Sequence, residues 1–347
     1  MKLDIDKMMA DNTVSSTANS ISFASSSNDK YGGILVKSAG KILRKEITEL
    51  ISYVYSVSPP FLILHVVIAV IRILQLLGPS LNPGFKKFWE TDYVSDKFIF
   101  IFSIFFYFIP PITYASISLY IMIVYIIITV IAILTLVISA KIYKKNAYLP
   151  SFLPPIICCY LFSLGFVLPP MALEVMFSRF SKYFFDASKD DAILRTIIIL
   201  IISVIITLIY LYIFLTIAIQ VLTFQPMSLM TVCTLPQSLI ILATLGINLF
   251  MGLSEHANQT VTMVFNTIAA IIYAISSFLV FFQGGLVKHK EAIFFMASCL
   301  TGFVTTVVII IFQVLDMKAS LIIIGVFIGL EVLFVILCDF IIKKVSI

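Results

Sequence analysis

The 347-residue chain is 61% apolar and 12% charged, with a mean hydropathy of +1.12, whereas about a quarter of the residues of a soluble protein are charged. Five stretches lack Asp, Glu, Lys, Arg and His altogether: 98–140, 146–173, 196–254, 257–287 and 292–315. That much uninterrupted apolar sequence excludes a soluble globular fold, and a net charge of +5 is too small to point to nucleic acid. A membrane crossing takes roughly 20 apolar residues, so the expected class is all-α: a polytopic membrane helix bundle of about nine transmembrane helices, with bounds of about eight and ten.

Residues 1–33 read as a disordered polar tail, built on the Ser/Asn-rich run TVSSTANSISFASSSND. The tail has no apolar core behind a basic start, so no signal peptide is expected and insertion is assigned to the first span. Over 34–57 the apolar residues Ala39, Leu43, Ile47, Leu50 and Val54 recur at helical spacing, with Lys37, Lys41, Arg44 and Lys45 between them. This predicts a basic amphipathic interfacial helix on the membrane surface; a helix packed on the cytosolic domain of a partner is the alternative. Residues 58–347 form the expected multi-pass transmembrane domain.

The first span, 59–78, opens on Pro59-Pro60, closes on Gly78-Pro79 and carries His65, Arg72 and Gln75. At 100° per residue these three polar groups share one face. They could form a seam turned into the bundle, with an acidic partner elsewhere. The alternatives are an Arg72 that snorkels to the interface and a His65 that simply packs on a neighbouring helix. Beyond the GPSLNPG break, Trp89 suits an interfacial anchor.

Spans two and three are expected at 98–116 and 118–140, turned near Pro110-Pro111 or within 113–118. Span four, 150–171, is bracketed by Pro154-Pro155 and Pro169-Pro170, and a hydrophilic loop follows over 174–195, whose SRFSKYFF portion could form an interfacial helix. Spans five to nine are placed at 196–222, 229–253 (with Asn248), 259–282, 292–315 and 320–342. Eleven of the 13 prolines precede residue 172, so the first four spans should be bent or broken and the last five straighter. Lys and Arg in the loops mildly prefer eight spans with both termini cytosolic, whereas length prefers nine; nine, with the N-terminus cytosolic, is the expectation.

Glu331, at the centre of span nine, is the sharpest single residue, because a carboxylate at mid-bilayer must be protonated, paired or in contact with water. Either it contacts Arg72 or His65, joining first and last spans, or it is a protonated, hydrogen-bonded structural group. Gly325 and Gly329 precede it as GxxxG, a helix-packing surface. Asn266, Ala270 and Ala274 in span seven, and Ser298, Gly302 and Thr306 in span eight, make small-residue stripes suited to packing or to lining a pore. The five cysteines, Cys158, Cys159, Cys233, Cys299 and Cys338, lack metal or disulfide spacing and read as reduced packing residues, with lipidation of Cys338 as an alternative. No catalytic motif, cofactor site or metal cluster is legible, and no soluble stretch after residue 58 is long enough for a catalytic domain.

The stretch 58–89, with IRILQLLGPSLNPGFKKFW at its heart and a long uncharged hairpin behind it, resembles the N-terminal multi-pass membrane region of trichomonad-type protist receptor-like adenylate/guanylate cyclases. The likeness is best over 53–141. It implies a plasma-membrane, receptor-like module working with a cyclase. The sequence given stops shortly after span nine and shows no metal-binding aspartates in a cyclase-like context, so no catalytic residue carries over. The expectation is a membrane module alone: a fragment, a degenerate relative, or a subunit partnering another membrane protein or a cyclase-bearing chain. A transporter or channel is the alternative.

Overall fold

The computed structural model describes residues 39–58, 62–81, 111–161, 165–185, 193–215, 234–283, 289–319 and 322–345. Every regular element among them is a helix: α1 (Ala39–Val57), α2 (Leu62–Leu77, continued by a 3-10 turn, Gly78–Leu81), α3 (Pro111–Asn146), α4 (Leu153–Cys159), α5 (Gly165–Phe185), α6 (Ile193–Ile213), α7 (Thr234–Ser254), α8 (Gln259–Gln283), α9 (His289–Val314) and α10 (Ile322–Val345). The polar tail, most of span two, Trp89, Cys233 and the end of span five lie outside the described residues, as does the side chain of His65.

Five of these helices are long and apolar enough to cross a membrane: Leu119–Asn146 in α3, Leu194–Ile213 in α6, Gln259–Phe281 in α8, Ala292–Val314 in α9 and Ile323–Lys344 in α10. Two further apolar segments, Val66–Ser80 and Ser238–Ser254, are shorter. The protein is therefore a helical membrane protein with five candidate crossings among the described residues.

Two boundaries differ from expectation. Residues 113–118 lie inside α3, which starts on Pro111, so no turn forms there; Pro at the first helical position loses only an N–H that has no partner anyway. Span four is described as two helical segments, with 162–164 between them outside the described residues. They are the short α4 and the longer α5, with Pro169 and Pro170 inside α5, and the supposed loop from Glu174 is helical as far as Phe185. The helix continues because its polar residues Glu174, Ser178 and Ser181 recur on one face and are buried, where α7 gives the two serines bonding partners. Among the described residues α2 tightens into a 3-10 turn at Gly78–Leu81, α5 carries Pro169 and Pro170 inside it, and α3 and α7–α10 run uninterrupted.

Three apolar clusters hold the bundle, the smallest between α3 and α5 around Met122, Tyr125 and Met176. One of the larger two joins α1 and α3–α7 around Leu50, Val54, Leu136, Leu161, Tyr210 and Phe214. The other joins α7–α10 around Ile247, Tyr273, Met296 and Cys299. The helices α2 and α7 serve both: α2 gives Ile68 to the first and Leu76 to the second, and α7 gives Leu245 to the first and Ile247 to the second. The closest seam between the groups is α5 on α7, where a Cβ at Gly252 would lie 2.6 Å from the Glu174 carbonyl oxygen and 3.2 Å from the Ser178 nitrogen. Only a glycine lets the two backbones approach so nearly.

Candidate functional site

The densest set of buried polar groups surrounds the C-terminal end of α2. Pro79 has no N–H, so the Gln75 carbonyl four residues earlier loses its helical donor. A helix end away from water must find other donors for its last carbonyls. Three side chains supply them. Asn248 Nδ2, from α7, donates to the Gln75 carbonyl at 3.3 Å and to Thr244 of its own helix at 2.7 Å. The Tyr273 hydroxyl, from α8, donates to the Leu76 carbonyl at 2.5 Å. Ser80 Oγ donates to the Leu77 carbonyl at 2.6 Å.

The same turn of α2 also holds the first helix group. Gln75 Nε2 donates to the Val167 carbonyl at 2.7 Å, in the opening turn of α5 that Pro169 and Pro170 loosen. The Arg72 guanidinium lies 4.3 Å from the centroid of the Phe166 ring, a cation–π contact. Of the polar groups of this span, Arg72 and Gln75 both meet α5, Arg72 on an aromatic face.

Of the two readings open for Glu331, the hydrogen bonds agree with the structural one. Its two carboxylate oxygens accept from Ser298 at 2.9 Å and Thr301 at 2.5 Å, both on α9. These bonds make a local clamp between α9 and α10, possible because Ser298 and Thr301 lie one turn apart on the face of α9 turned to α10, whereas Arg72 lies on Phe166 of α5 and the His65 side chain is outside the described residues. Gly325 and Gly329 depart from expectation: a Cβ at either would have no neighbour within 4 Å, so no helix of the described residues packs on them. The stripes of α8 and α9 do pack together, with Asn266, Ala270, Ser298 and Thr306 all buried and Tyr273 seated against Gly302. Cys338 has no exposed surface, which removes it as a lipidation site. Cys158, Cys159, Cys299 and Cys338 are free thiols.

A second polar group, missed in the sequence, is centred on Glu174. It lies outside the five candidate crossings and is 2% exposed, with Oε1 lacking a hydrogen-bond partner. Burial, and after it the charge of Glu255, pushes its carboxyl well above the usual carboxylate range. Around it, Ser178 donates to Glu255, and Ser181 donates to the Leu253 carbonyl at 2.7 Å. The signal was present in the sequence: Glu174 is flanked by MAL and VMF, which is an unusual setting for a solvated loop. Among the described residues no group of three His, Cys, Asp or Glu side chains is placed to hold a metal ion.

Comparison of the chain with protein-family models, with curated proteins and with solved structures finds no match.

Proposed function

We propose that the chain is a non-enzymatic, receptor-like signalling module of about nine crossings in the plasma membrane, with its N-terminus cytosolic and a cyclase-bearing chain or another membrane protein as its partner. The observation that carries this reading is the capped end of α2. Its last turn is bonded to α5 through Gln75 and to α7 and α8 through Asn248 and Tyr273. Displacing α2 disturbs the packing of both helix groups at once, which is what a module that passes a change across its own bundle requires. The likeness of 53–141 to the membrane region of protist cyclases supports the same reading. Its test is cross-linking of the full chain in its native membrane. Recovery of a chain carrying a class III cyclase domain is the expected result, and recovery of the chain alone counts against it.

A second reading, a transporter or channel, is favoured by one observation: the enclosed Glu174 carboxyl with an unpartnered oxygen, in a helix that carries Pro169 and Pro170 inside it. Broken helices and buried carboxyls are the parts from which many transporters build their ion sites. Solute or proton flux in proteoliposomes that disappears in Glu174→Gln would select this reading over the first.

A further inference from the structure

The two basic segments picked out by the sequence meet in space. The apolar face of α1, with Ile47, Leu50, Ile51 and Val54, is buried in the first core, and Lys41, Arg44 and Lys45 are exposed on its other side. The last turns of α3 carry Lys141, Lys144 and Lys145, also exposed. At spacings of three and four residues these three lysines share one face of α3. Lys144 is bonded to Glu46 of α1, so that lysine face is the one turned towards the charged flank of α1.

The crossing geometry sets the level of this patch in the membrane. Glu46 meets Lys144, and the Tyr53 ring packs on Tyr143 with centroids 4.7 Å apart and planes tilted by 31°. Glu46 and Tyr53 are about 10 Å apart along α1, whereas Tyr143 and Lys144 are about 1.5 Å apart along α3. The two axes therefore cross steeply, and α1 lies across the end of a helix that runs through the bilayer. At roughly 54 Å, α3 is longer than the hydrocarbon thickness of about 30 Å. Its lysine-bearing end reaches the headgroup layer, and α1 is held beside it there.

We propose that α1 and the end of α3 form one basic ledge that binds the phosphate headgroups of anionic lipids in the leaflet it faces. Six cations stand on it against two carboxylates, and both carboxylates are engaged: Glu46 with Lys144, and Glu49 with Lys45 at 3.7 Å. The excess positive charge lies at headgroup depth, which is the arrangement that concentrates anionic lipid. The inference rests on the membrane location of the protein and is independent of the signalling reading.

The test uses the full chain reconstituted in phosphatidylcholine, with spin-labelled phosphatidylglycerol and phosphatidylcholine as probes and the motionally restricted fraction as readout. The wild type should prefer phosphatidylglycerol. Replacing Lys41, Lys45, Lys141 and Lys145 together by Gln, which keeps the Lys144–Glu46 bond, should lower that preference by at least about fivefold. The Lys343→Gln/Lys344→Gln variant, at the end of α10, should retain it and serves as the folded control for general charge loss. The proposal is overturned if the wild type does not discriminate between the probes, if the fourfold variant keeps its preference, or if both variants lose it equally. A wild type that ignores phosphatidylglycerol but binds polyglutamate would assign the ledge to an acidic protein and also overturn it.

Discussion

Tyr273→Phe isolates the bond on which the α2 junction depends. The substitution keeps the ring, which is fully buried against Gly302, and removes only the hydroxyl that donates to the Leu76 carbonyl at 2.5 Å. The carbonyl is left in a water-free interior, beside a proline that offers no N–H in exchange. Stranding a buried acceptor costs about 1–3 kcal/mol in soluble proteins, and interhelical polar contacts in membranes average about 0.6 with a ceiling near 1.7 kcal/mol. The enclosed position of Leu76, with no exposed surface, favours the upper part of the membrane range, so a loss of about 1.5 kcal/mol is expected. That corresponds to a little over tenfold in the folded-to-unfolded ratio. Steric trapping in bicelles measures it, with Tyr148→Phe, an exposed tyrosine outside the helices, as reference. A change indistinguishable from that reference would show that the Leu76 carbonyl has no need of its cap, and the reasoning about the end of α2 would fail.

Gly252→Ala should be among the most damaging single-methyl additions in the chain, because its Cβ would meet the backbone of α5 rather than a flexible side chain. Overpacking of this kind costs about 1–3 kcal/mol, and thermal unfolding in detergent should show it. Glu331→Leu removes the acceptor of both Ser298 and Thr301 and should loosen α10 from α9, seen as faster proteolysis of the C-terminal segment, whereas Glu331→Gln keeps one acceptor and should be milder. For Glu174 the sign is worked from linkage. Its folded-state pKa is raised by burial and by Glu255, so the folded protein holds a proton that the unfolded chain has released. Stability is therefore greatest below the usual carboxylate range and falls as pH rises towards the raised value. Of the charged and titratable neighbours, Glu255 deepens that fall and is itself engaged by Ser178, while Tyr273 is already bonded to α2. Glu174→Gln should flatten the profile of unfolding midpoint against pH; an unchanged slope would refute the assignment.

The membrane class was fixed by composition alone, because no packing arrangement hides long charge-free stretches from water in a chain of this size. The ends of α8, α9 and α10 were legible for the same reason: charged or turn-forming residues bound each of those apolar runs. That Arg72 and Gln75 share one face of their helix was legible, since helical spacing is a local property. What that face touches was not local. Sequence spacing left Glu331 open between a distant cation and a structural hydrogen bond, and only the fold shows it met by two hydroxyls on the preceding helix. Glu174 looked solvated until α5 continued through Pro169 and Pro170 and turned it against α7. Likewise Asn248 was visible as a polar residue in an apolar helix, but only the packing of α7 on α2 shows that it replaces the donor Pro79 lacks. The sequence alone decides which solvent a segment prefers, because transfer energies add residue by residue. Which polar group answers which is decided in three dimensions, because a hydrogen bond depends on where two separate helices meet.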